Sequence, residues 1–141
     1  MSLTFEPLHP LFAAEGLGID LTDPLSPSDH QAIQAAITQY GVLVFRGQPL
    51  SDDEHAAFTR HFGAIDQGLN LAVDKKQRLT NTDVIDIANV DNDGQVFPAD
   101  HARHVSLMAN QLWHSDSSFK SPPAKYSVLS AAAIPDVGGD T

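Results

Sequence analysis

The sequence NQLWHSDSSF at residues 110–119 decides how the rest of the chain is interpreted. It holds His114 and Asp116, two residues apart. In a β-strand, successive side chains point to opposite faces, so residues two apart share one face. If this stretch is a strand, the imidazole of His114 and the carboxylate of Asp116 aim at a single point. Trp113 and Phe119 bracket the pair, and we expect them to bury it and restrict water around it.

An imidazole nitrogen and a carboxylate oxygen aimed at one point suit a divalent metal ion. With a second histidine from elsewhere, His114 and Asp116 would form the two-histidine, one-carboxylate facial triad of non-haem Fe(II) oxygenases, which leaves positions open for substrates. The tripeptide alone is a weak signal, because two-ligand patterns often occur by chance. A surface ion pair or a turn therefore remains an alternative at this point.

Composition narrows the class of protein. The chain has 141 residues, enough for one domain with its own core. Its 18 acidic and 8 basic residues give a formal net charge of -10, which makes nucleic acid and anionic membrane surfaces poor partners. It has no cysteine, so disulfide and thiolate chemistry are excluded. No apolar run approaches the roughly 20 residues of a membrane helix, and the N-terminus lacks a secretory pattern. We therefore expect a cytoplasmic protein without a membrane partner.

Two helix starts are marked by capping residues. Ser26 is a good N-cap and Pro27 fits the first helical position, so a helix is predicted there, and Gly41 is expected to end it. Ser51 and Glu54 match the capping box that opens a second helix.

The predicted strands are short and separated by turns. They cover residues 18–21, 42–45, 84–90 and 126–134, and the second is expected to be buried on both faces. Residues 91–94 are predicted to be a hairpin turn. An EF-hand reading of residues 89–100 is rejected, because its first and last positions are Asn and Asp and a strand precedes it. The pattern favours a mainly β fold with helices (α+β), such as a double-stranded β-helix or jelly roll.

Several motifs, in order, resemble the taurine/2,4-dichlorophenoxyacetate dioxygenase (TauD/TfdA) family, and most closely its branch that acts on 2,4-dichlorophenoxyacetate. They are PLHPLFAA at residues 7–14, VLVFRGQPL at 42–50, FG at 62–63, NQLWHSDSSF at 110–119, PPAKYS at 122–127 and GGDT at 138–141. The resemblance covers essentially the whole chain.

The resemblance implies an Fe(II)- and 2-oxoglutarate-dependent dioxygenase that uses O2 as a second cosubstrate. His114 and Asp116 would be iron ligands, and Thr141 would hydrogen-bond a carboxylate of 2-oxoglutarate. Asn110 falls where relatives place a substrate-contacting residue, although a residue that satisfies backbone groups at the entry to a strand is an equal alternative. The implied substrate is a small anion, an aryloxyalkanoate, which is hydroxylated beside its ether oxygen to give a phenol and glyoxylate, with succinate and CO2. A homo-oligomer is compatible with the family.

In the family, the second metal histidine and an arginine that pairs with 2-oxoglutarate follow the GGDT motif, on which this chain stops. His101 and His104 are three apart, a spacing that on a helix could chelate a metal, but no carboxylate or third histidine follows at a matching interval, so they are expected to be surface residues. The resemblance therefore implies that residues 1–141 are the N-terminal portion of a single dioxygenase domain, a truncated jelly roll. Lys120 and Lys125, the nearest basic residues, are expected to be solvated. The alternatives are a taurine or alkyl-sulfonate dioxygenase of the same family and a catalytically inactive fragment.

Overall fold

The computed structural model describes residues 2–66, 78–101 and 112–137. The chain divides into two compact units, one of Met1–Gly63 with Ser130–Thr141 and the other of Ala64–Leu129. The helices and strands of the described residues lie in the first unit, in the order β1 (Thr4–Pro7), β2 (Ala14–Leu17), α1 (Pro27–Tyr40), β3 (Leu43–Val44) and α2 (Asp52–Arg60). The predicted combination of strands and helices is confirmed. In the described residues, however, helices of 14 and 9 residues outweigh strands of 4, 4 and 2, so this part is mixed rather than mainly β.

Helix α1 begins and ends as its capping residues predict. The hydroxyl oxygen of Ser26 accepts a hydrogen bond from the backbone N–H of Asp29 at 3.1 Å, which satisfies one of the free donors of the first turn. Gly41, with φ 73°, stops the helix and donates its N–H to the last turn. Ile33 and Ala36 are buried, so this face of the helix contributes to the core.

Helix α2 opens with the predicted capping box. The hydroxyl of Ser51 accepts from the backbone N–H of Glu54, and the carboxylate of Glu54 accepts from the backbone N–H of Ser51 at 2.8 Å. Ala56 and Phe58 are the buried residues of this helix.

The three strands form one small sheet in the order β1-β2-β3. Strands β1 and β2 are antiparallel, whereas β2 and β3 are parallel. Gly16 in β2 leaves the space that the ring of Phe45 occupies next to the strand, because any Cβ at that position would collide with the ring. The Phe45 ring is held edge-on by Phe5, with centroids 6.5 Å apart, and by Phe58, with centroids 6.3 Å apart.

The buried apolar residues of the described chain all belong to the first unit: Ala13, Ala14, Leu21, Ile33, Ala36, Ala56 and Phe58. No helix in the described ranges is long and apolar enough to cross a membrane.

Most of the strand predictions are wrong. Residues 18–21 follow β2 instead of forming a strand, and residues 84–90 and 126–134 are irregular. The stretch at 42–45 contributes only β3, whose two residues are half-buried, and Val42 is exposed. The turn at residues 91–94 is confirmed: Val90 and Val96 form an antiparallel bridge across it. A strand needs a partner to supply its backbone hydrogen bonds, and an apolar run does not identify that partner.

Candidate functional site

The segment that carries His114 and Asp116 is not a strand. Residues 113–115 are irregular, and residues 116–119 form a turn in which Ser117 has φ 50°. This left-handed conformation interrupts an extended chain and is uncommon for a residue other than glycine. The turn is closed by a hydrogen bond of 3.1 Å from the backbone N–H of Lys120 to the carbonyl oxygen of Ser117. The predicted strand geometry is therefore wrong at the motif itself.

The two side chains nevertheless meet. Nε2 of His114 lies 3.3 Å from Oδ1 of Asp116. Nδ1 of His114 lies 2.7 Å from the carbonyl oxygen of Leu112. Because a carbonyl oxygen can only accept, this contact assigns the ring hydrogen to Nδ1 and leaves the lone pair of a neutral imidazole on Nε2. Two electron-pair donors then face each other, and the arrangement calls for a cation between them, either a proton or a metal ion.

The carboxylate of Asp116 is held from its other side. Its Oδ2 accepts a hydrogen bond from the hydroxyl of Ser127 at 2.8 Å. Each candidate ligand thus has one polar atom in a hydrogen bond, Nδ1 in His114 and Oδ2 in Asp116; we call these the outer atoms. The second polar atom of each side chain, Nε2 in His114 and Oδ1 in Asp116, is the inner atom and faces the other residue. Outer-shell contacts of this kind orient metal ligands in proteins.

The donor set fits a divalent metal. Nitrogen and oxygen ligands lie about 2.0–2.2 Å from such an ion, so two adjacent ligands at a right angle are about 3 Å apart. The observed separation of 3.3 Å between Nε2 of His114 and Oδ1 of Asp116 is close to this value. Within the described ranges, no cluster of three or more histidine, aspartate or glutamate side chains is placed to hold a metal. The described residues therefore supply two candidate ligands, His114 and Asp116.

The expected burial of this pair is wrong. The side chains of His114 and Asp116 are about half exposed, at 49% and 55%. Trp113 is fully exposed and Phe119 is 73% exposed. Since the segment is a turn and not part of a sheet, no neighbouring strand among the described residues covers these apolar side chains.

The expectation for Lys120 is also wrong. Its ammonium group lies 2.6 and 2.7 Å from the two carboxylate oxygens of Asp66, and its side chain is only 23% exposed. Lys125 is exposed, as expected, and its Nζ lies 5.0 Å from the ring centroid of Tyr126. The charge of Lys120 is therefore already compensated within this unit.

The remaining predicted site residues divide between the described and undescribed parts of the chain. Asn110 and Thr141 lie outside the described residues, as does His104. His101 stacks on Phe97 with ring centroids 4.3 Å apart. In the rejected calcium loop, the carboxylate of Asp91 accepts backbone N–H groups of its own turn, which agrees with a hairpin turn.

Sequence reasoning missed two contacts that shape the site, those of Ser127 with Asp116 and of Lys120 with Asp66. Both join residues far apart in the chain, at separations of 11 and 54 positions. No local spacing rule relates such pairs. The only available signals were that Lys120 and Ser127 lie close in sequence to the motif and that Asp66 follows shortly after helix α2.

The comparison with protein families assigns the class. Residues 4–141 match the family described as "Taurine catabolism dioxygenase TauD, TfdA family". The chain belongs to this family, and the resemblance inferred from its motifs is confirmed.

Individual relatives refine this placement. The chain is 46% identical over 141 residues to the alpha-ketoglutarate-dependent 2,4-dichlorophenoxyacetate dioxygenase of Cupriavidus pinatubonensis, a match that covers 100% of the chain and 49% of the relative. It is 32% identical over 144 residues to the (S)-phenoxypropionate/alpha-ketoglutarate-dioxygenase of Delftia acidovorans, covering 99% of the chain and 45% of that protein. The chain thus spans about half the length of the curated relatives it matches.

A solved structure is similar as well. The crystal structure of AAD-2 in complex with Mn(II) and N-oxalylglycine aligns with a TM-score of 0.74 and 32% sequence identity, covering 89% of this chain and 40% of that one.

Proposed function

We propose that this chain provides part of the metal site of an Fe(II)- and 2-oxoglutarate-dependent dioxygenase that acts on an aryloxyalkanoate. The observation that carries the proposal is the approach of Nε2 of His114 to Oδ1 of Asp116 at 3.3 Å, with both outer atoms already hydrogen-bonded. The relatives named above support the cosubstrate and the substrate class, because their names include alpha-ketoglutarate with 2,4-dichlorophenoxyacetate or phenoxypropionate. The Mn(II) in the similar crystal structure supports a metal.

In this proposal, His114 and Asp116 hold the iron together with a histidine that the family resemblance places after Thr141. Thr141 binds a carboxylate of 2-oxoglutarate, and Asn110 contacts the substrate. The whole domain is a jelly roll, of which residues 1–141 form the N-terminal portion. The iron, with O2 and 2-oxoglutarate, supplies the oxidation that hydroxylates the carbon beside the ether oxygen, with release of succinate and CO2.

The residues of this chain have positioning roles in that reaction. The neutral imidazole of His114 and the ionised carboxylate of Asp116 present their inner atoms to the metal.

The substrate that has been hydroxylated beside its ether oxygen is a hemiacetal, which breaks its C–O bond to give a phenol and glyoxylate. Because Lys120 is paired with Asp66, we assign the binding of the substrate carboxylate to basic groups other than Lys120.

The test measures both metal binding and turnover on the complete product of the gene. Mn(II) affinity is measured by electron paramagnetic resonance, and succinate release is measured with 2,4-dichlorophenoxyacetate and, separately, with taurine. His114→Ala and Asp116→Ala should each weaken Mn(II) binding by about 100-fold or more, beyond the roughly 10–100-fold seen for outer-shell partners of metal ligands, and abolish substrate-dependent succinate release. The matched control is His61→Ala, because His61 is exposed and follows helix α2 in the other unit.

Each outcome has a distinct meaning. Turnover of taurine without turnover of phenoxyacetates would overturn the substrate class in favour of a sulfonate dioxygenase. Mn(II) binding without any succinate release would favour the inactive fragment. Mn(II) affinity that is unchanged in both ligand variants would overturn the metal site.

A further inference from the structure

We infer that Ser127 is a positioning residue that fixes the rotation of the Asp116 carboxylate, so that one oxygen is turned toward the metal while the other accepts a hydrogen bond. This inference rests on the proposed function, because it concerns the same site. Its basis is the 2.8 Å hydrogen bond from the hydroxyl of Ser127 to Oδ2 of Asp116, while Oδ1 faces Nε2 of His114 at 3.3 Å.

The terminal torsion of an aspartate lies in a broad energy well, so the plane of the carboxylate turns freely unless a contact holds it. The side chain of Asp116 is 55% exposed, so packing alone does not fix this torsion. A hydrogen bond from Ser127 restricts this torsion, since turning the carboxylate plane away from the hydroxyl would break a charge-assisted contact. The bond therefore holds the carboxylate in the orientation in which its second oxygen faces the imidazole.

The imidazole of His114 is oriented in the same way. Its Nδ1 contacts the carbonyl oxygen of Leu112 at 2.7 Å, which fixes both the tautomer and the rotation of the ring. One ligand is thus anchored by the backbone and the other by a side chain. Only the second anchor can be removed by substitution, and this makes Ser127 the informative position.

A purely structural role predicts a different result. Ser127 lies 11 positions after Asp116, so their hydrogen bond also ties two segments of the second unit together. If that were its only contribution, losing the hydroxyl would lower the thermal stability of the metal-free protein and leave its metal affinity unchanged. A positioning role predicts a change in metal affinity and little change in stability, because the bond is exposed to solvent.

The experiment measures the dissociation constant of Mn(II) by electron paramagnetic resonance and the melting temperature of the metal-free protein, in the protein as encoded. Ser127→Ala should weaken Mn(II) binding by about 10–100-fold, the range seen for outer-shell partners of metal ligands. Ser127→Thr keeps the hydroxyl and should restore binding close to that of the wild type. Ser130→Ala, the same change three positions along the chain, is the matched control and should leave the affinity unchanged.

The results separate the two hypotheses. If the wild type binds Mn(II) and Ser127→Ala binds it equally well, the positioning role is overturned and the proposed function stands. If the wild type itself does not bind Mn(II), both fail. If Ser127→Ala does not fold, Ser127→Gly, which also lacks the hydroxyl, takes its place: weakened Mn(II) binding supports the inference, and binding at the wild-type level contradicts it.

Discussion

The ammonium group of Lys120 donates to both carboxylate oxygens of Asp66, at 2.6 and 2.7 Å. Lys120 directly follows the turn at residues 116–119, and Asp66 lies 54 positions earlier in the chain. The hydroxyl of Ser117 also lies 3.4 Å from Oδ2 of Asp66. The Asp66 carboxylate thus contacts Ser117 within this turn and Lys120 directly after it, and these two contacts form a tether for the turn that carries Asp116.

Replacing Lys120 with Met tests this tether. Methionine keeps most of the apolar stem and removes the charge, so the expected result is a loss of about 0.5–1 kcal/mol in the free energy of unfolding, in the range of partly exposed ion pairs. Urea denaturation of the wild type and of Lys120→Met at low ionic strength measures this loss, which should shrink in high salt because screening weakens the pair.

The control for this prediction is a double-mutant cycle with Asp66→Asn. The effects of the two substitutions should not add, because each removes the same contact. Lys125→Met offers a comparison, since the ammonium group of Lys125 lies over the ring of Tyr126 and not beside a carboxylate. Strict additivity of Lys120→Met and Asp66→Asn would show that the ion pair contributes no coupling energy.

The starts of both helices and the end of α1 could be predicted from the sequence because their causes are local, whereas α2 ends at Arg60, before the Phe62 and Gly63 that the sequence indicates. A cap joins a side chain to a backbone group three residues away, as Ser26 does with Asp29 and Ser51 with Glu54. These residue types, in that order before an apolar helix face, are a recognised signal of a helix N-terminus. The same locality explains why the turn at residues 91–94 was predicted correctly.

The strands and the surroundings of the site could not be predicted in this way. The apolar residues at 84–90 and 126–134 have the composition of strands, but pairing depends on a partner that composition does not identify. The motif predicted that the side chains of His114 and Asp116 aim at one point. Nε2 of His114 and Oδ1 of Asp116 do approach each other, but the backbone that brings them together is a turn with Ser117 at φ 50° and not a pleated strand. The partners Asp66 and Ser127 depend on the fold of the whole second unit.

The close approach of the Phe45 ring to Gly16 leads to a prediction about the first unit. Gly16→Ala should destabilise the protein by about 1–3 kcal/mol, the usual cost of overpacking, because the added methyl group collides with the ring. Phe5 and Phe58 flank that ring and limit its movement. Urea denaturation measures the difference.

A smaller side chain at position 45 provides the control. In a Phe45→Leu background the added methyl group has room, so Gly16→Ala should cost clearly less than it does alone. An equal cost in both backgrounds would assign the effect to the backbone of strand β2 and not to contact with the ring.

The capping box of helix α2 gives the stability of the protein a pH dependence that can be isolated. The hydroxyl of Ser51 and then its backbone N–H donate to the carboxylate of Glu54, at 2.6 and 2.8 Å, and they lower the pKa of that carboxyl group. A carboxyl group with a lower pKa in the folded state adds stability that is fully present above its unfolded pKa, about 4.3. This stability is lost as the pH falls through the lower folded value.

Glu54→Gln removes the titrating group and keeps a hydrogen-bonding side chain. The wild type should therefore be more stable than Glu54→Gln by a constant amount between about pH 7 and pH 5.5, and this advantage should decline below about pH 4.3. Chemical denaturation at a series of pH values measures it. In a Ser51→Ala background the dependence should be weaker, because the hydroxyl donor that contributes most to the lowered pKa is gone. An advantage that stays constant down to the acid limit in both backgrounds would mean that these hydrogen bonds do not favour the ionised carboxylate in solution.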